Sequence, residues 1–367
     1  MNFEFSEEQR FIRDQARNFL SQECSTPVVR EVLDGSGSFH RPLWDKIIEL
    51  GWTAMAIPEE HGGLGLGYLE LCVIAEELGR ALAPIPFSSS VYLATEALKH
   101  WGSQQQKAQY LPRLAAGELI GCFAHAEGLG KPCVDAAAGK AGIAGSKLPV
   151  ADGDIADFAI LSARNADDVV QLYIVDLAQS GVRREALSSL DPSRSQARID
   201  LQNAAAEPLG DADPAGAEAI DSLLDCAAVL LAFEQIGGCQ AAMDSGIAYT
   251  KERYAFGRPV ASFQAIKHKF ADMFVALELA RSNAYYGAWA LSSDAPDLPL
   301  AAATARVSAT DAYYLISKEN IQAHGGMGFT WEFDCHLYYR RAQLLSSQIG
   351  AMPLWKERLV THLLHAA

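Results

Sequence analysis

Nowhere in the chain do about 18 apolar residues run together without a charge, so no membrane-crossing helix is expected. No CxxC pair occurs either. The seven cysteines (Cys24, Cys72, Cys122, Cys133, Cys226, Cys239 and Cys335) are scattered and odd in number, which argues against a disulfide framework and a zinc knuckle. Positive charge is scarce: 30 Lys and Arg face 45 Asp and Glu, a net charge of −15. Such a chain is repelled by bare phosphate backbones, and nucleic acid is not an expected partner. The opening MNFEFSEEQRF is acidic where a secretion signal would be basic and then apolar, so the expected setting is cytoplasmic.

Several catalytic signatures are missing too. Gly62, Gly63, Gly65 and Gly67 crowd one turn, but not in the GxGxxG register of a dinucleotide loop, and no βαβ pattern surrounds them. His125-Ala-Glu127 followed by Pro132-Cys133 begins like a zinc-deaminase motif, yet Ala136 stands where the second cysteine belongs. No GxSxG elbow is present, and no cluster has metal-ligand spacing, so no metal is expected.

What the chain does have is core. Of its 367 residues, 50% are apolar and 20% charged, enough for two or three domains of about 100–200 residues each. Residues 1–117 read as helices. Ser6 is an N-cap before Glu7-Glu8-Gln9, a second pattern runs from Trp44 through Ile47-Ile48 and Leu50 to Gly51, and a third helix follows from Tyr68 to Leu78. Over 118–213 short apolar runs (Ile120–Ala124, Phe158–Ser162, Val169–Val175) alternate with turn residues, which predicts a β domain ending in the linker Pro208–Pro214. From 214 to 367 the helical period returns, with stripes at Ile220/Leu223/Ala227, Phe270/Met273/Leu277 and, at heptad spacing, Val307/Tyr314/Ile321. The fold class is therefore mainly α with a central β domain and a C-terminal helical bundle.

Two segments carry chemistry. Lys251-Glu-Arg253-Tyr-Ala-Phe256-Gly257-Arg258-Pro259 through Phe263-Gln264 is an aromatic, Gly-broken joint between long helices, and Gln322-Ala-His324-Gly325-Gly326-Met-Gly328-Phe329 follows another. Paired glycines let a backbone approach a ligand closely, and Arg253 offers a fork for pyrophosphate. With GWTAMAIPEEHGGLGLG and YLPRLAAGELIGCFA upstream, these RxxFG…FQ and QxxGGxGF patterns resemble the acyl-CoA dehydrogenase family over essentially the whole chain. The resemblance implies a helical domain, a β-barrel domain and a four-helix bundle. It also implies FAD, an acyl-CoA substrate and reoxidation by an electron-transfer flavoprotein. By the same resemblance Arg253, Phe256, Gln264, Gln322, Gly325 and Gly326 would hold the ADP half of a neighbouring subunit's FAD.

The family's reaction needs a carboxylate to remove the α-proton of the thioester. At the position after the Gly-Gly motif where family members carry Glu-Gly, this chain has Ile349-Gly350, and at the alternative position it has Ala227-Ala228. Glu234 is the fallback, two helical turns onward and about 10.5 Å along the axis, far beyond proton-transfer reach. The stretches that hold the flavin ring in the family read Phe123-Ala-His125-Ala-Glu127 through Pro132 and Lys147-Leu-Pro-Val150-Ala-Asp152, without the usual threonine or GSD. This pattern resembles the base-lacking subunit of heteromeric, steroid-CoA-type enzymes, in which a homologous subunit carries the glutamate of an α2β2 complex. A self-sufficient homo-oligomer with an unrecognised base and a flavin-free scaffold are the competing expectations.

Overall fold

The structure is a computed structural model that describes residues 5–35, 37–128, 134–211 and 215–366. Six helices come first: α1 (Glu7–Glu23), α2 (Thr26–Leu33), α3 (Arg41–Glu49), α4 (Tyr68–Arg80), α5 (Glu96–Trp101) and α6 (Gln104–Ala115). Ser6 starts α1 through a reciprocal cap, its Oγ accepting from the Gln9 N–H at 3.2 Å while the Gln9 side chain accepts from the Ser6 N–H at 2.9 Å. Gly51, at φ +74°, ends α3. In the Gly-rich turn before α4, Gly63 packs so tightly that a Cβ there would lie 1.9 Å from the Ile57 carbonyl oxygen. Close approach, not a dinucleotide, accounts for that glycine.

Eight strands follow: β1 (Gly121–Ala124), β2 (Ala137–Gly139), β3 (Gly142–Ala151), β4 (Phe158–Arg164), β5 (Val170–Asp176), β6 (Val182–Ala186), β7 (Gln196–Ala204) and β8 (Glu207–Pro208). Their order is β6-β7-β3-β2-β4-β5-β8, with β1 parallel to β4 in the register Gly121↔Phe158 to Ala124↔Leu161. The remaining pairings are antiparallel except for one short β2–β4 contact. Among the described residues β6 and β8 are the outer strands of this order, and no pairing between them closes it into a barrel. An eight-residue π-helix, Ser88–Thr95, is buried throughout. It anchors the sheet: Ser89 Oγ donates to Asp152 at 2.5 Å, and Ser90 Oγ accepts from the Gly121 N–H at 3.4 Å. The expected linker lies partly at residues 212–214, outside the described residues.

The chain continues as α7 (Ala217–Glu252), the short hairpin β9 (Tyr254–Ala255) and β10 (Arg258–Pro259), α8 (Gln264–Ser292), α9 (Leu298–His324), α10 (Cys335–Ser347) and α11 (Met352–Ala366). Among the described residues the C-terminal helical part has five helices, the last two, α10 and α11, separated at Gly350. None of the helices described is long and apolar enough to cross a membrane.

By packing, the chain forms two compact units, one of residues 1–29, 68–83 and 228–367, the other of residues 30–67 and 84–227. In the first, α4 meets α7 backbone to backbone through Gly79 and Gly237. Arg17 pairs with Glu77 at 2.6 Å and Arg281 with Glu76 at 2.6 Å. On α9 the buried face mixes small residues, including Ala302, Ala305, Ala309 and Ala312, with the large side chains of Arg306, Tyr313 and Ile316. The heptad stripe of larger residues turns the other way: Val307 and Ile321 are half-buried and Tyr314 is exposed. Alanine lets helices approach closely, and Arg306, Tyr313 and Ile316 fill the space between the alanines on the inner face.

Candidate functional site

The joint between α7 and α8 is a two-residue hairpin, with Ala255 paired to Arg258 and Tyr254 to Pro259. Phe256 and Gly257 occupy its turn at φ +52° and +79°, the conformation that fits a tight hairpin. Phe256 is 96% exposed at the tip. Behind it, Arg258 lies over the Phe263 ring at 3.9 Å. Arg253 precedes the hairpin at the end of α7, four residues after Tyr249 and so on the same face.

Tyr249 ties this joint to the end of α9. Its ring stacks on His324 at 4.2 Å, with Phe333 edge-on to Tyr249 at 5.7 Å. The imidazole is fixed by its Nδ1, 2.8 Å from the Asn320 carbonyl oxygen, and burial pushes its pKa below the usual histidine value. The helix then stops at Gly325, with φ +60° and ψ −138°, a backbone shape essentially reserved for glycine. A Cβ on Gly325 or Gly326 would meet nothing within 4 Å, so both backbones face open space.

A pocket of about 440 Å³ results, lined by Tyr249, Arg253, Val260, Ile266 and Gln322 to Met327. Arg253, Gln322, Gly325 and Gly326 of the expected set are brought together there. Phe256 and Gln264 are exposed and lie outside its lining. Sequence reasoning missed Tyr249, whose signal was its four-residue spacing from Arg253. Neither the Arg253 guanidinium nor the Gln322 amide has a hydrogen-bond partner among the described residues. A cationic fork, a free amide and two bare backbones fit the phosphate and adenosine side of a dinucleotide such as FAD.

At the other expected positions the chemistry is hydrocarbon. Ile349 takes φ +54°, an outlier for a β-branched residue, and Gly350 follows at φ +105°. The turn is pinned from both sides: Trp355 Nε1 donates to the Ile349 carbonyl oxygen at 3.2 Å and Arg306 donates to that of Gln348 at 2.8 Å. Ala227 and Ala228 are fully buried. Glu234 is buried as well, with Oε1 3.7 Å from the Arg341 guanidinium. Arg341 also donates to the Leu82 carbonyl oxygen at 3.1 Å, so this carboxylate belongs to a buried charge network of the helical unit.

In the β unit, Glu127 lies beside Leu148, bonding the 123–128 stretch to β3. It pairs with Lys147 at 2.5 Å and accepts from the backbone N–H groups of Asp135 and Ala136 at 2.7 and 3.1 Å. Residues 129–133, which include the Pro132-Cys133 step, lie outside the described residues.

The chain thus combines a helical unit that carries this pocket with a second unit that holds the sheet. Residues 6–118 match the acyl-CoA dehydrogenase N-terminal domain and residues 215–351 the acyl-CoA dehydrogenase C-terminal domain. The acyl-CoA dehydrogenase IpdE2 of Mycobacterium tuberculosis is 33% identical over 346 residues, covering 93% of this chain and 94% of its own. Two solved assemblies share the fold. A variant of the Tcur3481-Tcur3483 steroid ACAD has a TM-score of 0.89 at 27% identity, covering 98% of each chain. The ChsE4-ChsE5 complex of Mycobacterium tuberculosis has a TM-score of 0.90 at 25% identity, covering 99% of each. The chain belongs to the acyl-CoA dehydrogenase family.

Proposed function

We propose that the chain is the non-catalytic subunit of an α2β2 acyl-CoA dehydrogenase, working with a homologous subunit that brings the glutamate base. One observation carries this reading. The side chains at the base positions are Ile349, Ala227 and Ala228, and the fallback Glu234 is engaged by Arg341, while the Arg253 pocket keeps its donors uncommitted. Bound FAD supplies the hydride acceptor for α,β-dehydrogenation of a CoA thioester. Arg253 holds the pyrophosphate, the Gly325–Gly326 backbone admits the adenosine side, and Gln322 orients it. Residues 1–117 and 214–367 form the helical parts and 118–213 the β part of this subunit.

The likeness to a steroid ACAD and to the ChsE4-ChsE5 complex supports a bulky acyl-CoA substrate and a heteromeric assembly. Exposed aromatic residues beside the pocket, Phe256 at 96% and Phe329 at 80%, support a partner surface there. The described cysteines are free and buried, which suits the reducing cytoplasm. An electron-transfer flavoprotein completes the set of partners. The test is purification alone and with the homologous subunit, followed by flavin absorbance and acyl-CoA turnover. Flavin and turnover only in the joint preparation are expected. A yellow, active preparation of this chain alone refutes the reading.

A further inference from the structure

Helix α8 is packed on two flanks and bare between them. On one flank Arg281 pairs with Glu76 of α4 at 2.6 Å, and on the other Lys269 pairs with Glu319 of α9. Between those contacts an outward stripe carries Ala271, Phe274, Val275 and Leu279, all exposed, the three large ones each by more than half. Apolar residues scattered singly over a surface are ordinary, but three large ones within six residues of one helix form a patch. At 3.6 residues per turn Val275 marks the middle of the stripe. Lys267, Phe274 and Glu278 line its edge toward α4, and His268, Asp272 and Leu279 its edge toward α9. Lys267 is exposed and has no ion-pair partner among the described residues. Glu278 has only Arg281, at 3.4 Å.

We propose that a second copy of this chain covers the stripe, its α8 antiparallel to the first about a two-fold axis near residues 272 and 273. The charge pattern selects this arrangement. A two-fold that reverses one helix against another brings like edges together, and residue i of one copy meets j of the other while j meets i. Lys267 and Glu278 share an edge and lie on opposite sides of that axis, so each Lys267 falls beside Glu278 of the other copy. Phe274 then packs over Ala271 of the other copy, large against small. A parallel pair would set Lys267 against Lys267 and Glu278 against Glu278. One term opposes the contact: the two Asp272 side chains approach each other along the far edge. A single helix pair is also smaller than a standard interface of about 1,600 Å², so the dimer forms at micromolar concentration. The pairing needs neither flavin nor the homologous subunit, and it stands apart from the dehydrogenase reading.

Sedimentation equilibrium of the purified chain alone, over about 1 to 100 μM, tests it. The wild type should show a monomer–dimer equilibrium. Val275→Glu combined with Leu279→Glu should leave only monomer, with an unchanged circular dichroism spectrum, while Phe256→Ser should leave the dimer in place. Lys267→Glu and Glu278→Lys should each weaken it about two- to tenfold. The two together should restore it, which a change confined to one copy's own fold cannot do. Asp272→Asn should tighten it. A wild-type chain that stays monomeric at the highest concentration overturns the proposal. So does a dimer lost in Phe256→Ser but kept in the Val275/Leu279 variant, or a charge reversal that the second reversal fails to rescue.

Discussion

The carbonyl oxygen of Glu234 lies 1.8 Å from where a Cβ on Gly79 would be. The reverse contact is made by Gly237, whose Cβ position is 1.9 Å from the Glu76 carbonyl oxygen. Two helices therefore cross with no side chain between them. A methyl group at either glycine must push backbone away. Gly79→Ala and Gly237→Ala should each destabilise the protein by about 1–3 kcal/mol or more, read from urea denaturation midpoints. A midpoint unchanged in either variant contradicts this close crossing.

Glu234→Gln separates two roles for one carboxylate. The buried Arg341 would lose its ionic partner, and Arg306, whose pKa burial already pulls down to about 9, would lose the Glu234 charge that opposes the fall. Stability should drop by about 1–3 kcal/mol, measured by thermal or chemical denaturation. Turnover of the assembled enzyme should stay largely intact, because no proton passes through Glu234. A loss of several orders of magnitude in kcat with normal assembly and flavin content would make Glu234 the base.

Arg253→Ala removes the fork from the pocket. A charge-assisted contact is worth about 1.5–3 kcal/mol, so FAD affinity of the complex should fall roughly ten- to a hundredfold, followed by fluorescence quenching. Gly325→Ala should act at the same site through the backbone, since φ +60° with ψ −138° strains any Cβ-bearing residue by about 1–3 kcal/mol. Flavin affinity indifferent to both would reduce this region to an interhelical joint.

His125 also predicts a pH dependence. Its folded pKa of about 4 lies below the ordinary histidine value of 6.5, so between those values the unfolded chain binds more protons than the folded one. The neutral, buried ring thus favours folding fully above about pH 6.5, and this contribution is lost as pH falls toward 4. Its size is on the order of 3 kcal/mol. Lys147 lowers the pKa, while Glu127 and Asp221 oppose it. His125→Phe should flatten the stability profile over that window relative to wild type, in a series of urea titrations at stepped pH. Parallel profiles would mean that the ring is not buried in this way.

Much of the architecture was legible because it is local. Ser6 and Gln9 spell a cap within four residues, Tyr68 starts a helix after a Gly-rich turn, and the apolar runs at Phe158 and Val169 become β4 and β5. The pocket was partly legible for the same reason, since Arg253 and Gly325-Gly326 each sit in a recognisable turn. What escaped was relational. His125 is hydrogen-bonded to Ser162, 37 residues away, and to Lys147, 22 away, and no spacing rule links them. The stripe at Val307, Tyr314 and Ile321 misled because bulk marks a seam only when the partner helix can accommodate it. On α9 the inner face is set by Arg306, Tyr313 and Ile316 among alanines, off that stripe.

The hairpin between α7 and α8 has an entropic consequence for whatever surface receives Phe256. A side chain at the tip of a loose loop would have to be frozen, backbone and all, at the moment of docking, at about 1–2 kcal/mol per residue. Here the backbone is already held by the paired strands Tyr254–Ala255 and Arg258–Pro259. Only two side-chain torsions remain to be fixed, a penalty nearer 0.5–1.5 kcal/mol by order of magnitude, roughly what one immobilised side chain costs. A counterpart docking on Phe256 would meet a knob whose disorder was mostly surrendered in folding, already in position instead of searching for it.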